Sequence, residues 1–270
     1  MMLDGVGIVG RGLARVLIAR CHYSNVMPRI TRFCVGGWKD NRLVAVMTLG
    51  FGTRPRHTIE GMFPSLSTED YLEIGKLCVS DDMPRNTESY FISRALGVIQ
   101  EQRPNVAVVF SWADGILGKP GYVYQAANFY FGGFIWTEIY LTEDGIKLHP
   151  RSVQGLTAGK GEARGPRDFA TTSAMGLTKY WGKQFRYIYP LCDKRQWQAL
   201  ERESPYVWQR GSYPKDADCT FEKQIALGKR EEVDALPFVR GDYIERELAQ
   251  GRLFEPHEVT GATQEAFSYD

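Results

Sequence analysis

The sequence predicts an α/β (α+β) fold, a mixed sheet with helices on both faces, and three observations point to it. Two strand-like runs, 32–38 and 43–49, flank the polar turn Lys39-Asp40-Asn41-Arg42, which is a β-hairpin signal. A strand over residues 71–79, a helix over 87–102 and an all-apolar strand over 106–112 form a strand–helix–strand crossover. Such a crossover places parallel neighbours at the centre of a sheet. Finally, 270 residues with 43% hydrophobic and 13% aromatic content bury a substantial core, which excludes a disordered tail or a collagen-like fibre.

The other elements follow in chain order. Residues 5–10 (GVGIVG) read as a flexible approach to a helix over 13–20, which a loop to Pro28 follows. Their GxGxxG spacing is not a dinucleotide fingerprint: only four residues precede Gly5, too few for a strand, and Asn25 stands where an acid is wanted. Residues 54–66, with Pro55 and Pro64, read as irregular, and 81–86 as a turn. In 87–102 the apolar sets Phe91, Ala95, Val98 and Ile92, Leu96, Ile99 repeat at helical spacing, and Pro104-Asn105 ends the helix. A short helix over 121–129, a strand over 131–141, a turn at Glu143-Asp144-Gly145 and a short strand come next. A last strand is expected over 186–191. From Asp193 the chain is polar, with Pro205, Pro214, Pro237 and Pro256. It therefore divides into a domain over 1–192 and a helical or irregular extension over 193–270 packed on it.

Charge is balanced overall, at +1, and unbalanced locally. Between Lys147 and Arg195 ten Lys/Arg face three acids, a surplus of seven, so the remainder sums to −6. Residues 157–166 (TAGKGEARGP) read as a basic, Gly-rich loop, and Phe169, Tyr180, Trp181, Phe185, Tyr187 and Tyr189 lie among the charges. Phosphates attract Lys/Arg and exposed rings stack on bases, so this stretch reads either as a nucleic-acid face or as a solvated basic surface with its aromatics in the core. No apolar run reaches the ~20 residues that span a bilayer. Asp4, Arg11, Arg15 and Arg20 interrupt any secretory leader, and the five cysteines (21, 34, 78, 192, 219) form no CxxC. Reduced thiols in the cytoplasm are expected.

No GxSxG elbow or Walker loop occurs, and His22, His57, His149 and His257 show no HxH, HxxxH or HExxH. A metal held by His22 or His57 with Asp114 or Glu73 would have to be assembled by the fold, without support from spacing. The helix start after the 81–86 turn presents unpaired N–H groups and a positive dipole end, suited to a pyrophosphate with Arg85 beside it. The alternative is an ordinary capped helix, with Asn86 as N-cap and Glu88 in the first turn. Ser111 and Asp114 close the next strand, where open α/β sheets bind ligands; Asp114-Gly115 is equally a turn dipeptide.

The stretch 71–129 resembles the core of the GNAT acyltransferase superfamily, in which a coenzyme A pyrophosphate sits at a helix start. It implies a mostly antiparallel sheet whose central parallel pair splays around a cofactor cleft. Tyr124-Gln125-Ala126-Ala127-Asn128-Phe129 matches the superfamily's Tyr-x-x-x-(Gly/Asn)-Phe pattern, and Asp81-Asp82-Met83-Pro84-Arg85-Asn86-Thr87-Glu88-Ser89 replaces its glycine-rich phosphate loop. A more specific set comprises His22-Tyr23, Leu72-Glu73-Ile74-x-x-Leu77, Pro84 to Ser89, Ser111-Trp112-Ala113-Asp114, Gly121 to Phe129 and Arg186-Tyr187-x-Tyr189-Pro190-Leu191. Over roughly residues 10–192 it resembles the Mom-type DNA-modification proteins of bacteriophages.

That resemblance implies an acyltransferase-like enzyme that converts the adenine N6 amino group of phage DNA to a methylcarbamoyl group, protecting it from restriction nucleases in the host cytoplasm. Acetyl-CoA or a related thioester is the implied cofactor, with Arg85, Asn86, Ser89 and Asn128 binding it. Ser111 and Asp114 would face the reacting centre and Tyr124 would relay a proton. His22 and Tyr23 would border the base, Glu73 would line the cleft floor, and the basic segment from Lys147 to Arg195 would grip DNA. A methylcarbamoyl group holds one nitrogen more than acetyl, so a nitrogen source, a rearrangement or a redox metal such as iron must take part. Two other readings stay open: a GNAT acetyltransferase acting on an aminated pyrimidine or a small amine, and a non-catalytic DNA- or protein-binding module.

Overall fold

The computed structural model describes residues 2–24, 26–52 and 54–234. Its class is the expected one, mixed α/β, with a mostly antiparallel sheet that has one parallel pair. Two compact units divide the described residues, one drawn from residues 2–59 and 66–107, the other from 60–65 and 108–234.

In the first unit, Gly5–Val9 is a strand (β1) and not the flexible approach expected, because it ladders antiparallel with Phe33–Lys39 (β2), Gly5 opposite Trp38 and Val9 opposite Cys34. Its glycines lie inside the strand, which disposes of the dinucleotide motif. Helix α1 (Arg11–Cys21) follows. The hairpin forms as read: Arg42–Gly50 (β3) returns along β2, and Asp40 and Asn41 take φ of 49° and 60°, the paired positive values of a two-residue hairpin turn. Tyr71–Val79 (β4) completes the antiparallel order β1-β2-β3-β4. Residues 54–66 are not irregular throughout, since Pro55–Met62 forms helix α2, and a proline is tolerated at a first helical position.

Helix α3 (Thr87–Gln102) and α1 cover opposite faces of this sheet. Ala14, Leu17 and Ile18 of α1 pack with Val9, Cys34, Val46 and Cys78. A Cβ at Gly37 would lie 3.1 Å from Phe91 of α3 and 3.2 Å from Ala45, on the other face. Burial from both sides explains why residues 43–50 of β3 are all buried and read as a continuous apolar run.

In the second unit, β8 (Thr178–Pro190) organises the sheet. It pairs antiparallel with β5 (Val108–Ala113) and with β6 (Tyr130–Leu141), and its first half also carries β9 (Phe221–Ala226). The two-residue β7 (Lys147–Leu148) adds to the end of β6, and β10 (Lys229–Val233) to β9. Strand β8 starts eight residues before the predicted one, because TKYWGKQF reads as charged surface until its alternation is seen to bury Tyr180 and Phe185. The predicted short helix is α4 (Tyr122–Ala126). Helices α5 (Pro150–Leu156) and α6 (Phe169–Ala174) were hidden in the basic stretch; α6 is N-capped by Asp168, which accepts from Thr171 N at 2.9 Å. Beyond 192 stands α7 (Lys194–Glu203), capped by Asp193 and burying Trp197 and Leu200. The β9–β10 hairpin stands where only helices and loops were expected. Pro237 and Pro256 lie outside the described residues.

Arg186 is a core residue of this unit and not part of a phosphate-gripping face. Its guanidinium lies 3.8 Å from the Tyr206 ring centroid and 5.3 Å from that of Trp112, and donates to Gly132 O at 2.5 Å. A buried hydrogen bond from a charged donor stabilises by about 1.5–3 kcal/mol. Arg186→Gln is therefore expected to lower the unfolding free energy from urea titration by about 1.5–3 kcal/mol while leaving the salt dependence of any DNA affinity unchanged.

Candidate active site

The helix start expected to hold phosphate lies in the first unit. Asn86 sits at the N-cap position of α3 in the left-handed region (φ 72°, ψ 5°), and its side chain makes no capping bond, so the ordinary Asn-capped helix is ruled out. Thr87 Oγ1 donates to Pro84 O at 2.6 Å and Ser89 Oγ to Asn86 O at 3.1 Å. Both hydroxyls thus serve the turn, and Ser89 is turned to its own backbone. Arg85 and Asn86 are exposed. Of the two acids in the preceding turn, Asp82 is ion-paired with Arg42, which holds its carboxyl below the usual range.

Elsewhere in this unit His22 is buried at the end of α1. Its Nδ1 accepts from Ser24 N at 2.9 Å, so a neutral ring carries its proton on Nε2. Its ring centroid lies 4.2 Å from that of Tyr23, and Lys76 Nζ stands 5.8 Å from the Tyr23 centroid. Glu73, opposite Gly50 in the β3–β4 ladder, has its carboxyl pushed up to about 7 by burial. Gly52 makes room for it: at φ +69° this residue has no side chain, and a Cβ there would overlap the Glu73 carboxylate.

In the second unit Ser111 is fully buried on β5, opposite Tyr187, and its hydroxyl has no hydrogen-bond partner among the described residues. Asp114 follows β5 and serves two ends. Its backbone carbonyl accepts from Leu117 N (2.8 Å) and Lys119 N (3.1 Å) in the turn, while its carboxylate accepts from Gln184 Nε2 at 2.9 Å. Burial pushes the Lys147 ammonium down, and the Asp114 charge opposes that shift. Burial, with Arg151, Lys147 and Arg167, also lowers His149, whose Nδ1 accepts from Arg151 N at 3.1 Å as the cap of α5. Sequence reading missed Gln184 and Lys147 as neighbours of Asp114. The β5–β8 register supplies the signal: Ala113 pairs with Phe185, so the next pair is Asp114 and Gln184.

Tyr124 is buried in α4, its ring 5.4 Å from Tyr187 and 5.2 Å from Phe129. The Tyr187 hydroxyl donates to Pro120 O at 2.5 Å and accepts from Gln125 Nε2 at 3.0 Å. Asn128 is exposed and takes the left-handed conformation (φ 60°) just after α4, while Phe129 N closes the turn on Tyr124 O at 3.0 Å. Among the described residues no three His, Cys, Asp or Glu side chains gather where a metal could sit. In the basic segment Tyr180, Phe185 and Tyr187 are core residues and unavailable for stacking. Lys179 and Arg167 both pair with Glu138, whereas Arg151, Lys160, Arg164, Lys194 and Arg195 are exposed.

Residues 5–215 match the Mom protein family. The chain belongs to it. It is 34% identical over 205 residues to the Methylcarbamoylase mom of Escherichia phage Mu, covering 75% of this chain and 80% of that protein. Among solved structures, a putative phosphinothricin N-acetyltransferase is similar at a TM-score of 0.39 and 8% identity, over 70% of this chain and 99% of its own. An acetyltransferase of Bacillus subtilis in complex with CoA gives 0.35 and 13%, over 69% and 98%. Every candidate residue from His22 to Asn128 falls inside the Mom match, which also takes in α7; the β9–β10 hairpin lies beyond it. No helix among the described residues is long and apolar enough to cross a membrane.

Glu73 links this geometry to pH. Its native carboxyl keeps until about 7 a proton that the unfolded chain releases near 4.5, so its contribution to stability is lost as pH rises through that window. Glu73→Gln, which mimics the protonated form, is expected to raise Tm at about pH 8 and to leave it unchanged at about pH 4. Equal Tm differences at both values would show that the carboxyl titrates normally.

Proposed function

We propose that this Mom family protein is a transferase that places an acyl-derived, methylcarbamoyl-type group on the N6 amino group of adenine in phage DNA, and that the product shields the DNA from host restriction. The observation that carries the reading is Asp114: a carboxylate at the end of a buried strand, oriented by Gln184 at 2.9 Å, in a chain 34% identical to a methylcarbamoylase. Such a carboxylate has the fixed orientation that proton removal from a weak amine nucleophile requires.

The residues present fit a coenzyme A thioester as donor. Helix α3 opens without a side-chain cap; Thr87 N donates to Pro84 O at 3.2 Å, which leaves the Glu88 and Ser89 N–H groups and the positive helix end to an anion, and exposed Arg85 adds a charge-assisted contact. Arg85, Asn86 and the α3 backbone would hold phosphate. Ser89 would contribute chiefly by stabilising that turn, and Asn128 by ending α4. When bound, the thioester would supply an activated acyl carbon; an acetyl thioester by itself would give only N6-acetyladenine and free thiol, so direct transfer to a methylcarbamoyl product would require a donor whose acyl group already carries the CH3–NH–CO unit.

The remaining steps fall to the chain itself. An adenine amino nitrogen delocalises its lone pair into the ring, so the protein has to exclude water and stabilise developing charge as well as remove a proton. Asp114 takes that proton, Tyr124 donates one to the departing group, and the buried Ser111 hydroxyl offers a hydrogen bond to the reacting carbonyl. His22 and Tyr23, whose rings pack at a 31° tilt, would border the base, and Glu73 would line the cleft floor. Exposed Arg151, Lys160, Arg164, Lys194 and Arg195 hold the DNA backbone. Bringing the base out of a duplex costs about a few kcal/mol.

Nucleoside mass spectrometry of DNA from cells expressing the chain is expected to show a modified deoxyadenosine that disappears with Asp114→Ala. A modified pyrimidine in its place would assign the chain to the aminated-pyrimidine acyltransferases. In calorimetry, Arg85→Ala is expected to weaken coenzyme A binding roughly tenfold or more while leaving Tm within about a degree, because the side chain is exposed. Unchanged affinity would remove Arg85 from the phosphate site.

A further inference from the structure

Three consecutive bulky residues in the middle of β6 reach solvent: Phe134 (45% exposed), Ile135 (39%) and Trp136 (48%). A bulge just before them, between Phe131 and Phe134, shifts the register of the β6–β8 ladder, and bulges of this kind re-aim side chains. Among the described residues the far side of β6 carries a single bridge, Phe131 to Gln209, before β7 joins at Tyr140 and Leu141, so residues 134–136 between them lie on an open edge. Unprotected apolar edges are a hazard that proteins normally cover or charge, so an uncovered one calls for an occupant.

The ladder also decides what shares a face with these rings. Phe134 stands opposite Phe185, Trp136 opposite Lys183, and Glu138 opposite Trp181. Phe134 and Trp136 meet edge to face at 6.2 Å, an arrangement that separates the two rings and leaves both accessible. Cations lie across this surface. Lys183 Nζ is 5.0 Å from the Phe134 centroid, and Trp181 has Lys179 at 4.5 Å and Arg230 at 4.0 Å. Glu138 pairs with Lys179, and Glu222 with Arg230. Lys183 meets no carboxylate among the described residues and donates instead to Asp218 O at 3.0 Å.

We propose that this β6–β8 face is a stacking platform for unpaired nucleobases, so that the protein takes DNA as a single strand or a locally opened duplex. Phe134 and Trp136 supply the rings, and Lys183 reaches the phosphate between stacked bases. Aromatic rings interleaved with cations match the two components of an unpaired strand, base faces and backbone charge. A second copy of the chain fits less well. Two-fold pairing sets a surface against itself, which would bring the Lys183 charges of two copies together. The inference rests on the DNA reading above and deepens it by naming the form of the substrate.

The test uses the full chain, a labelled oligothymidylate and a duplex of equal length. Wild-type protein is expected to bind the single strand more tightly. Phe134→Ala and Trp136→Ala each weaken that binding roughly tenfold, and Trp136→Phe keeps most of it. Ile135→Ala, on the other face of the strand, leaves it unchanged, and Lys183→Gln lowers the salt slope by ~0.7. Because both rings are exposed, melting curves of the variants should overlay the parent's. Affinity unaffected by the loss of both rings, tighter binding of the duplex, or a change in oligomeric state in place of affinity overturns the platform. Nucleoside mass spectrometry keeps the two claims apart. Modified deoxyadenosine from a protein whose rings prove irrelevant removes the platform alone; ring-dependent strand binding without any modified nucleoside removes the chemistry alone.

Discussion

The antiparallel register between β5 and β8 is the constraint on which the second unit depends. It sets Ser111 against Tyr187, Trp112 against Arg186 and, one step past the ladder, Asp114 against Gln184. Because side chains alternate across a strand, a slip of a single residue would exchange the two faces. Ser111 would move to the side of the Arg186 sandwich, and Asp114 would lose the amide that orients it. The buried guanidinium reinforces this register. With Trp112 and Tyr206 as its ring neighbours and Gly132 O as its acceptor, Arg186 cannot be accommodated on the side lined by Phe185 and Tyr187 without leaving its donors unsatisfied.

The first unit is organised differently, by helices on both sides of a sheet whose middle strand is apolar throughout. This is also where sequence reading succeeded best. The β2–β3 hairpin, β4 and α3 were legible because each has its own local signal: Asp40-Asn41 for the turn, a continuous apolar run for a strand covered twice, and the Phe91, Ala95, Leu96, Ile99 spacing for the helix. Strand β1 was missed because its glycines at GxGxxG spacing, with only four residues before them, read as a flexible lead into α1, and the pairing with β2 is not local in sequence. The first half of β8 was missed for a related reason. Residues such as Lys179 and Lys183 advertise solvent, yet they alternate with residues that pack inward, and their charges are answered by Glu138 and a backbone carbonyl contributed from far along the chain.

The candidate site shows the same division. Residue types at His22, Glu73, Ser111, Asp114 and Tyr124 could be picked out by resemblance, and their immediate surroundings could not. Asn86 illustrates why. By residue type it is a good N-cap, but its left-handed backbone turns the side chain away from that use, and backbone conformation of this kind is not written in a dipeptide. Likewise Gly52 is silent in the sequence, and its significance emerges only when the Glu73 carboxylate is found to occupy the space that a side chain would take. The near-neutral Glu73 is in turn a product of that close packing, since burial is the cause of its shift.

The order of strands in the second unit has a consequence for biosynthesis. Strands β5 and β6 have both left the ribosome well before β8, yet β8 is the strand that joins them, and β9 then closes on its first half from later still. Contacts between such distant segments raise the contact order and slow folding. During translation the β8-facing edge of β5 waits for about sixty further residues and that of β6 for about forty, and at ~5–20 residues per second that interval lasts seconds. Truncations that end before Thr178 remove the strand that joins β5 to β6.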